Sequence, residues 1–379
     1  MISRHEFPYL QSLVINDAYA VKNLTVPVFQ AGEEFKHLIL TGRNGSGKTT
    51  VLQEFGSILL VGSNHGKIYQ ISSVNHKIEV LFSNTSVNMI YERNSSMTAF
   101  FEAQRKTQVN DVVTVAREDV LEAQVSQQSS AEFFKQYLVN KKVYQVFDTI
   151  EGKSEGAKQQ EQFFTKLEET LAKIFEDPGT KLEFVRENFE FYINLSDGRR
   201  FTFNQLSAGF SAFLSILTEL LMRTDLLRKQ ANDYTYDPCG FVLIDEPETH
   251  LHLEMQYQIL PLLTGLFPNL QFIVATHSPA VASSIKNATV FDLSTGQAMG
   301  DQAAGSSYSE LMQTHFGVDN EYSNVADAII KRINELAQLP DKVDARRQLQ
   351  GLLVSEGRYM SPALRLEVEA QLIGLEVEE

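Results

Sequence analysis

The sequence contains no tryptophan and only one cysteine, Cys239, among its 379 residues. A single cysteine cannot form a disulfide within the chain, which excludes the disulfide-stabilised class of secreted domains. Long apolar runs are also missing, because charged residues interrupt each one before it reaches the ~20 residues of a transmembrane helix. The N-terminal segment MISRHEFPYL shows no apolar signal core. These absences predict a cytoplasmic protein without a membrane partner.

Basic residues are outnumbered by acidic ones, with 33 Lys and Arg against 48 Asp and Glu, so the formal net charge is −15. This balance argues against a protein that coats nucleic acid, although it leaves open a local basic groove between two subunits. Hydrophobic residues make up 43% of the chain, which is ample for a buried core. The length favours one large α/β domain or two unequal domains.

The most informative stretch is TGRNGSGKTT, Thr41–Thr50, which lies between an apolar run and an apolar helical pattern. Gly42–Thr49 fit G-x-x-x-x-G-K-[ST], in which glycines let successive backbone N–H groups turn toward one anion. The helix that begins here adds the positive end of its dipole. We expect Lys48 to reach the outer phosphates of a nucleoside triphosphate and Thr49 to offer its hydroxyl to Mg²⁺. The predicted phosphate-binding residues are Gly42, Arg43, Asn44, Gly45, Ser46, Gly47, Lys48, Thr49 and Thr50.

Two carboxylates follow an apolar strand in GFVLIDEPETH, at the position where open α/β sheets carry their chemistry. We expect Asp245 to hold Mg²⁺ through water and Glu246 to polarise the attacking water. A second apolar strand ends in Thr276-His277-Ser278. His277 is expected to emerge at the same edge of the sheet and touch a terminal phosphate. The predicted catalytic residues are therefore Lys48, Glu246 and His277.

A further turn, NQLSAGFSAF, opens an apolar helix with a serine and a glycine. A helix start of this kind favours an anion. The alternative is an ordinary helix cap in which Ser207 is the capping residue.

Taken in order, GRNGSGKT, LSAGF, LIDEPETHLH and ATHSP resemble the Walker A, signature, Walker B with D-loop, and switch-histidine motifs of ABC-type ATPases. The DEPExHLH form and the THSP that follows resemble the soluble SMC/RecF/OLD-like branch. In that family two heads dimerise head to tail, and the signature turn of one head closes on the nucleotide of the other. The resemblance implies ATP, Mg²⁺, ATP hydrolysis and a homodimer in which Ser207, Ala208 and Gly209 act in trans. Assemblies larger than a dimer are left open.

The sequence departs from the family pattern in two places. The signature turn reads LSAGF where the family has LSGGQ, which changes the expected contact with the γ-phosphate. The glutamine of the family's Q-loop has no unique counterpart. Gln104, in FFEAQRK after a predicted strand, is our choice for a nucleotide and metal contact, with Gln108 as the alternative.

The resemblance implies an α/β fold, namely an ABC-type P-loop NTPase head with a mixed parallel and antiparallel sheet, a helical insertion lobe and C-terminal helices. We place the first part of the ATPase core at residues 1–109 and the insertion at 110–180. The second part of the core follows at 181–293 and a helical tail at 294–379.

Local patterns predict several elements outside the motifs. Leu10–Val28 is predicted to form paired strands around a polar turn at Asn16-Asp17. Asp197-Gly198 predicts the turn of a second hairpin. Ala328–Leu352 and Pro362–Leu375 have the periodicity of amphipathic helices.

Compact proteins of this branch often occur in bacterial anti-phage systems, including Septu-, retron- and PARIS-like ones. The resemblance therefore implies an ATPase that regulates a separate effector, either a nuclease or a toxin. The spacing between Thr49 and Leu206 leaves no room for long heptad arms, and the tail lacks the Asp-x-Asp pair of a two-metal nuclease. Two alternatives remain: a RecF-like repair ATPase that clamps DNA, and a nucleotide-binding scaffold with negligible turnover.

Overall fold

The computed structural model describes residues 2–65, 77–91, 96–105, 109–116, 130–233, 235–299, 311 and 324–374. The chain divides into two compact units, Met1–Leu311 and Met312–Glu379. The described strands, all in the first unit, are β1 (Leu10–Ala18), β2 (Val21–Pro27), β3 (His37–Thr41), β4 (Ile78–Phe82), β5 (Ser96–Phe101), β6 (Lys181–Val185), β7 (Glu190–Asn194), β8 (Arg200–Thr202), β9 (Cys239–Asp245), β10 (Leu270–Ala275), β11 (Ala288–Asp292) and β12 (Gln297–Ala298). Its described helices are α1 (Lys48–His65), α2 (Phe134–Ile150), α3 (Ser154–Ile174), α4 (Ala208–Ala231), α5 (Leu253–Leu266) and α6 (Pro279–Ala282).

The main sheet has the strand order β12-β11-β3-β10-β9-β5. Its pairs are parallel except for β11 with β12, which is antiparallel. Every residue of β3, β9 and β10 is buried, as expected for strands covered on both faces. The predicted α/β class with a mixed sheet is therefore confirmed.

A second sheet, β2-β1-β4, is antiparallel and shares a core with α1 and the main sheet. Our prediction of a turn at Asn16-Asp17 is wrong. Both residues remain in β1, and the chain turns at Tyr19-Ala20, where Tyr19 has a φ of +57°. Strand pairing continues this far because Ala18 and Val21, which face each other, are both buried in the core.

The third sheet, β6-β7-β8, contains the hairpin that was predicted around Asp197-Gly198. Asn194 pairs with Arg200, and Gly198 takes a φ of +87° that favours glycine. Strand β6 was not predicted, and it pairs antiparallel with the other edge of β7.

Helices α2 and α3 pack on one another within the segment that we predicted as an insertion. Lys141 on α2 forms an ion pair of 2.7 Å with Asp225 on α4, and the Tyr137 hydroxyl donates a hydrogen bond to the same carboxylate. Lys141 also lies over the ring of Phe163 on α3. The helix that follows the signature turn is therefore anchored to this pair of helices.

The second unit contains three described α-helices, α7 (Asn324–Ala337), α8 (Lys342–Glu356) and α9 (Pro362–Gly374). Their core includes Ile333, Leu349 and Leu364. The predicted single helix over Ala328–Leu352 is wrong, because the segment breaks before Pro340, whose ring cannot continue a helix. Asp341 then caps α8 by accepting hydrogen bonds from the N–H groups of Val343 and Asp344. Within the described parts of both units, no helix is long and apolar enough to cross a membrane.

Gln271 provides a test of how β1 is attached to the main sheet. Its side chain is 0% exposed; its Oε1 accepts from Leu10 N at 2.7 Å, and its Nε2 donates to the carbonyl oxygens of Leu10 and Lys36. Gln271→Leu leaves these backbone groups unpaired, so we expect the free energy of unfolding to fall by about 3 kcal/mol. Urea unfolding followed by circular dichroism measures this change. Gln30→Leu, at an exposed position, is the control. An equally small change in the free energy of unfolding at both positions would contradict the role of Gln271 in attaching β1.

Candidate nucleotide-binding site

The register of the central strands brings three loops to one edge of the main sheet. Ala275 of β10 pairs with Leu40 of β3 on one side and with Asp245 of β9 on the other. The chain therefore leaves all three strands at the same level. The glycine-rich loop, the acidic turn and the segment that contains His277 all begin there.

The glycine-rich loop has the backbone of a phosphate cradle. Gly42, Gly45 and Gly47 take φ values of +133°, +79° and +91°, which lie in the region that favours glycine. A Cβ on Gly42 would lie 2.8 Å from the hydroxyl oxygens of both Ser46 and Ser294, so a larger residue there would displace these side chains. Helix α1 begins at Lys48, directly after the loop.

Lys48 is 5% exposed and lies against its own loop. Its Nζ donates to the carbonyl oxygens of Gly42 at 2.9 Å and Arg43 at 3.2 Å. Burial lowers the pKa of the amine, and the carboxylates of Glu246 and Asp245 oppose this shift. The ammonium thus makes two carbonyl contacts that the oxygens of a phosphate group could replace.

Thr49 and Asp245 form an oxygen-rich pair beside the loop. The Thr49 hydroxyl, in the first turn of α1, donates to Asp245 Oδ1 at 3.2 Å, although β10 lies between β9 and the β3 strand that leads to α1. Asp245 is buried, and this burial raises the pKa of its carboxyl. A hydroxyl and a carboxylate at this spacing suit Mg²⁺, which prefers oxygen ligands and keeps several of its waters.

Glu246 and His277 emerge from neighbouring strands, with His277 Nε2 3.8 Å from Glu246 Oε1. Glu246 has a φ of +46°, a conformation that costs a non-glycine residue about 1–3 kcal/mol and is typical of functional turns. Burial and, to a smaller extent, Lys48 lower the pKa of His277, whereas the Glu246 carboxylate raises it. The imidazole is therefore held neutral at neutral pH and can donate or accept a hydrogen bond.

The signature-like turn lies at the N-terminus of α4. Ser207 caps this helix by accepting a hydrogen bond from Phe210 N at 3.5 Å, and the side chains of Ser207 and Ala208 are exposed. Gly209 is buried against the turn after β9, because a Cβ there would lie 2.2 Å from His250 O. The cap that we considered as an alternative is thus present, and the turn leaves its outer face open to solvent.

Gln104, our choice for the Q-loop glutamine, has an exposed side chain just after β5. Gln108 lies outside the described residues. Instead, Arg105 turns toward the acidic residues and donates through Nη2 to Asp245 O at 2.7 Å and Glu246 O at 2.9 Å. Burial lowers the pKa of Arg105 to about 10, against the influence of the nearby carboxylates. Sequence reasoning missed Arg105, because its proximity to the acidic turn comes from the pairing of β5 with β9, which the residues themselves do not indicate.

Glu248 is a second residue that sequence reasoning missed. Its Oε1 accepts three hydrogen bonds, from the Thr276 hydroxyl at 2.6 Å, His277 N at 2.8 Å and Ser278 N at 3.2 Å. This carboxylate therefore connects the turn after β9 to the loop after β10. The second glutamate of DEPETH was the available signal.

Two more features support the glycine-rich loop. Ser294 accepts a hydrogen bond from Arg43 N at 2.7 Å and donates its own N–H to buried Asp292, also at 2.7 Å. On the other side, a Cβ on Gly47 would lie 3.1 Å from Ala18 O, so the tip of the β1–β2 hairpin touches the loop. Tyr19, at that tip, is 73% exposed.

One segment of this chain matches a known family model. Residues 115–283 match the family model described as "AAA domain, putative AbiEii toxin, Type IV TA system". The matched segment contains the signature-like turn, the Asp245-Glu246 pair and His277, whereas the glycine-rich loop precedes it. This part of the chain is therefore similar to AAA domains.

Several relatives align with parts of the chain. It is 40% identical over 93 residues to the Retron Ec83 probable ATPase of Escherichia coli, an alignment that covers 24% of this chain and 17% of that protein. It is 32% identical over 91 residues to the Retron Vc95 probable ATPase of Vibrio cholerae serotype O1 biovar El Tor, covering 24% and 18%. A longer alignment, 24% identical over 267 residues, covers 64% of this chain and 66% of the Septu protein PtuA of Bacillus thuringiensis. The chain thus spans less than a fifth of the two retron proteins.

Among solved structures, the Smc head bound to the C-winged helix domain of ScpA matches with a TM-score of 0.38 and 14% identity. The match covers 75% of this chain and 94% of that one. The Pyrococcus furiosus Smc head domain with an extended coiled coil matches with a TM-score of 0.36 and 13% identity, covering 77% and 95%.

The pKa of His277 tests the electrostatics of this site. Because the Glu246 carboxylate favours the imidazolium form, Glu246→Gln should lower the pKa of His277 further below its ordinary value. The imidazole would then stay neutral to a lower pH than in the unaltered protein. Titration of ¹³C-labelled histidine by NMR, with the signal assigned through His277→Gln, measures the change. Glu367→Gln in the second unit is the control, and an unchanged or higher pKa in Glu246→Gln would contradict the described contact.

Proposed function

We propose that this chain, part of which is similar to AAA domains, binds ATP with Mg²⁺ and hydrolyses it at the carboxyl edge of the main sheet. One observation carries the proposal. The glycine cradle with Lys48, the Thr49–Asp245 pair and the Glu246–His277 pair meet where three buried strands end. These are the parts that phosphoryl transfer to water requires: a phosphate cradle, a cation site, and groups that position the water.

In this mechanism each residue has a separate task. Lys48 exchanges its contacts with Gly42 and Arg43 for oxygens of the outer phosphates. Thr49 and Asp245 would hold Mg²⁺, which neutralises charge on the phosphates when it is bound. Glu246 orients and polarises a water molecule, and neutral His277 contacts the terminal phosphate.

We further propose that two copies of the chain pair head to tail, so that Ser207, Ala208 and Gly209 of one copy complete the site of the other. The exposed outer face of the signature-like turn supports this arrangement. Leu253 and Tyr257, two large exposed apolar side chains on α5, follow directly after the acidic turn and offer further surface for a second copy.

The proposed biological role is anti-phage defence, in which nucleotide-dependent pairing regulates a separate effector protein. Support comes from the retron and Septu names of the relatives. The anchoring of α4 to α2 through Lys141 and Asp225 offers a physical route by which movement of the signature-like turn would reach the rest of the first unit.

The catalytic role of Glu246 is tested by replacing it with glutamine. Glu246→Gln keeps the shape of the side chain but removes the carboxylate that polarises water, so we expect turnover to fall by roughly 10²–10⁴-fold. ATP binding should be retained, and ATP should hold the variant as a dimer in size-exclusion chromatography with light scattering.

Glu367→Gln, a surface change in the second unit, is the matched control and should hydrolyse ATP at the unaltered rate. Equal rates for Glu246→Gln and the unaltered chain would remove Glu246 from the catalytic role. Binding of ATP without measurable turnover by the unaltered chain would instead favour a scaffold.

A further inference from the structure

The turn that carries Glu246 has an unfavourable backbone conformation. The φ of Glu246 is +46°, and the next residue, Pro247, further restricts the backbone of the residue before it. Without contacts that hold it, this turn would relax and the Glu246 carboxylate would lose its direction. The turn must therefore be fixed by its neighbours.

Backbone contacts supply part of this support. Glu246 N donates to Ala275 O at 2.8 Å, which continues the pairing of β9 with β10. Thr249 donates to Glu246 O through both its backbone N–H at 3.2 Å and its hydroxyl at 2.9 Å. These contacts hold Glu246 from the strand before it and from the turn after it.

Arg105 holds the same turn from a third direction. Strand β5 pairs in parallel with β9, and it brings Arg105 to the carbonyl oxygens of Asp245 and Glu246. Both oxygens are reached by one nitrogen, Nη2, at 2.7 and 2.9 Å. Among the residues that the structure describes, Nε and Nη1 have no hydrogen-bond partner.

A buried guanidinium is costly unless opposite charge lies close by. The carboxylates of Glu248, Asp245 and Glu246 provide this charge. Arg105 is therefore at once a hydrogen-bond donor to the acidic turn and a local counter-charge for its carboxylates.

We infer that Arg105 is a positioning residue, which holds the carbonyl oxygens of Asp245 and Glu246 and thereby directs the Glu246 carboxylate toward the attacking water. This inference rests on the proposed ATP hydrolysis. The role requires no contact between Arg105 and the nucleotide. Loss of Arg105 should therefore reduce turnover while leaving the affinity for ATP in place.

Three substitutions test this role. Arg105→Met keeps an apolar stem but removes every hydrogen-bond donor, whereas Arg105→Lys keeps a positive charge and donors on a shorter side chain. Arg186→Met is the control, in which the same arginine-to-methionine change is made at an exposed position between β6 and β7. Because a misdirected catalytic group costs about 10²-fold in rate, we expect kcat to fall by about that factor in Arg105→Met. Arg105→Lys should retain an intermediate kcat, and Arg186→Met should match the unaltered chain.

Equilibrium ATP binding separates positioning from direct phosphate contact. The positioning role predicts a Kd within about threefold of the unaltered value in both Arg105 variants, a change of less than 1 kcal/mol. A loss of affinity as large as the loss of kcat would overturn the inference in favour of a phosphate contact. An unchanged kcat in Arg105→Met would also overturn it.

Amide hydrogen exchange gives a readout that does not require turnover. The turn after β9 includes the N–H groups of Thr249 and Leu251, which are bonded to the carbonyl oxygens of Glu246 and Glu248. We expect a peptide that covers this turn to exchange faster in Arg105→Met than in Arg186→Met. Equal exchange would overturn the positioning role even if the unaltered chain hydrolysed no ATP, an outcome that would separately contradict the proposed function.

Discussion

The site depends on the placement of β10 between β3 and β9. Because Ala275 pairs with both Leu40 and Asp245, the three strands end in register, and the loops that follow them start side by side. All three strands are buried on both faces, so a shift of register would disrupt the close packing of apolar side chains on each face. Packing of the sheet therefore fixes the relative positions of Lys48, Asp245 and His277 before any ligand binds.

Negative charge dominates the site that results. The carboxylates of Asp245, Glu246, Glu248 and Asp292 all act on Lys48, and three of them also act on Arg105. A triphosphate that entered without a metal ion would meet more carboxylates than cationic side chains. In the proposed mechanism Mg²⁺ would reverse this balance, so the acidic groups of the site favour a nucleotide that enters together with a divalent cation. The two cations of the site contact different segments. Lys48 contacts the glycine-rich loop, and Arg105 contacts the backbone of the acidic turn.

Features with a local cause could be predicted from the sequence. The glycine-rich loop requires particular residue types at fixed spacing, and the short apolar runs of β9 and β10 are typical of strands covered on both faces. The break before Pro340 also had a local signal, namely the proline itself. Our prediction gave more weight to the apolar periodicity of the segment. The turn at Tyr19-Ala20 was missed because the polar pair Asn16-Asp17 is the stronger turn signal, whereas burial of Ala18 and Val21 decides the outcome.

Contacts between distant segments could not be predicted in the same way. Arg105 reaches the acidic turn because β5 pairs with β9, and Ser294 reaches Arg43 because β11 pairs with β3. Neither pairing leaves a mark on the residues concerned. Gln104 and Arg105 illustrate the point, since adjacent residues at the end of one strand point to solvent and to the site respectively.

The most direct test of this account is complementation between two inactive chains. Lys48→Ala removes the cradle amine, and Ser207→Arg blocks the signature-like turn. If one nucleotide is bound by Lys48 of one copy and Ser207 of the other, an equal mixture should recover about a quarter of the unaltered activity, because about half of the dimers are mixed and each has one of two sites intact. Activity of the mixture that stays at the level of the separate variants would contradict the shared site.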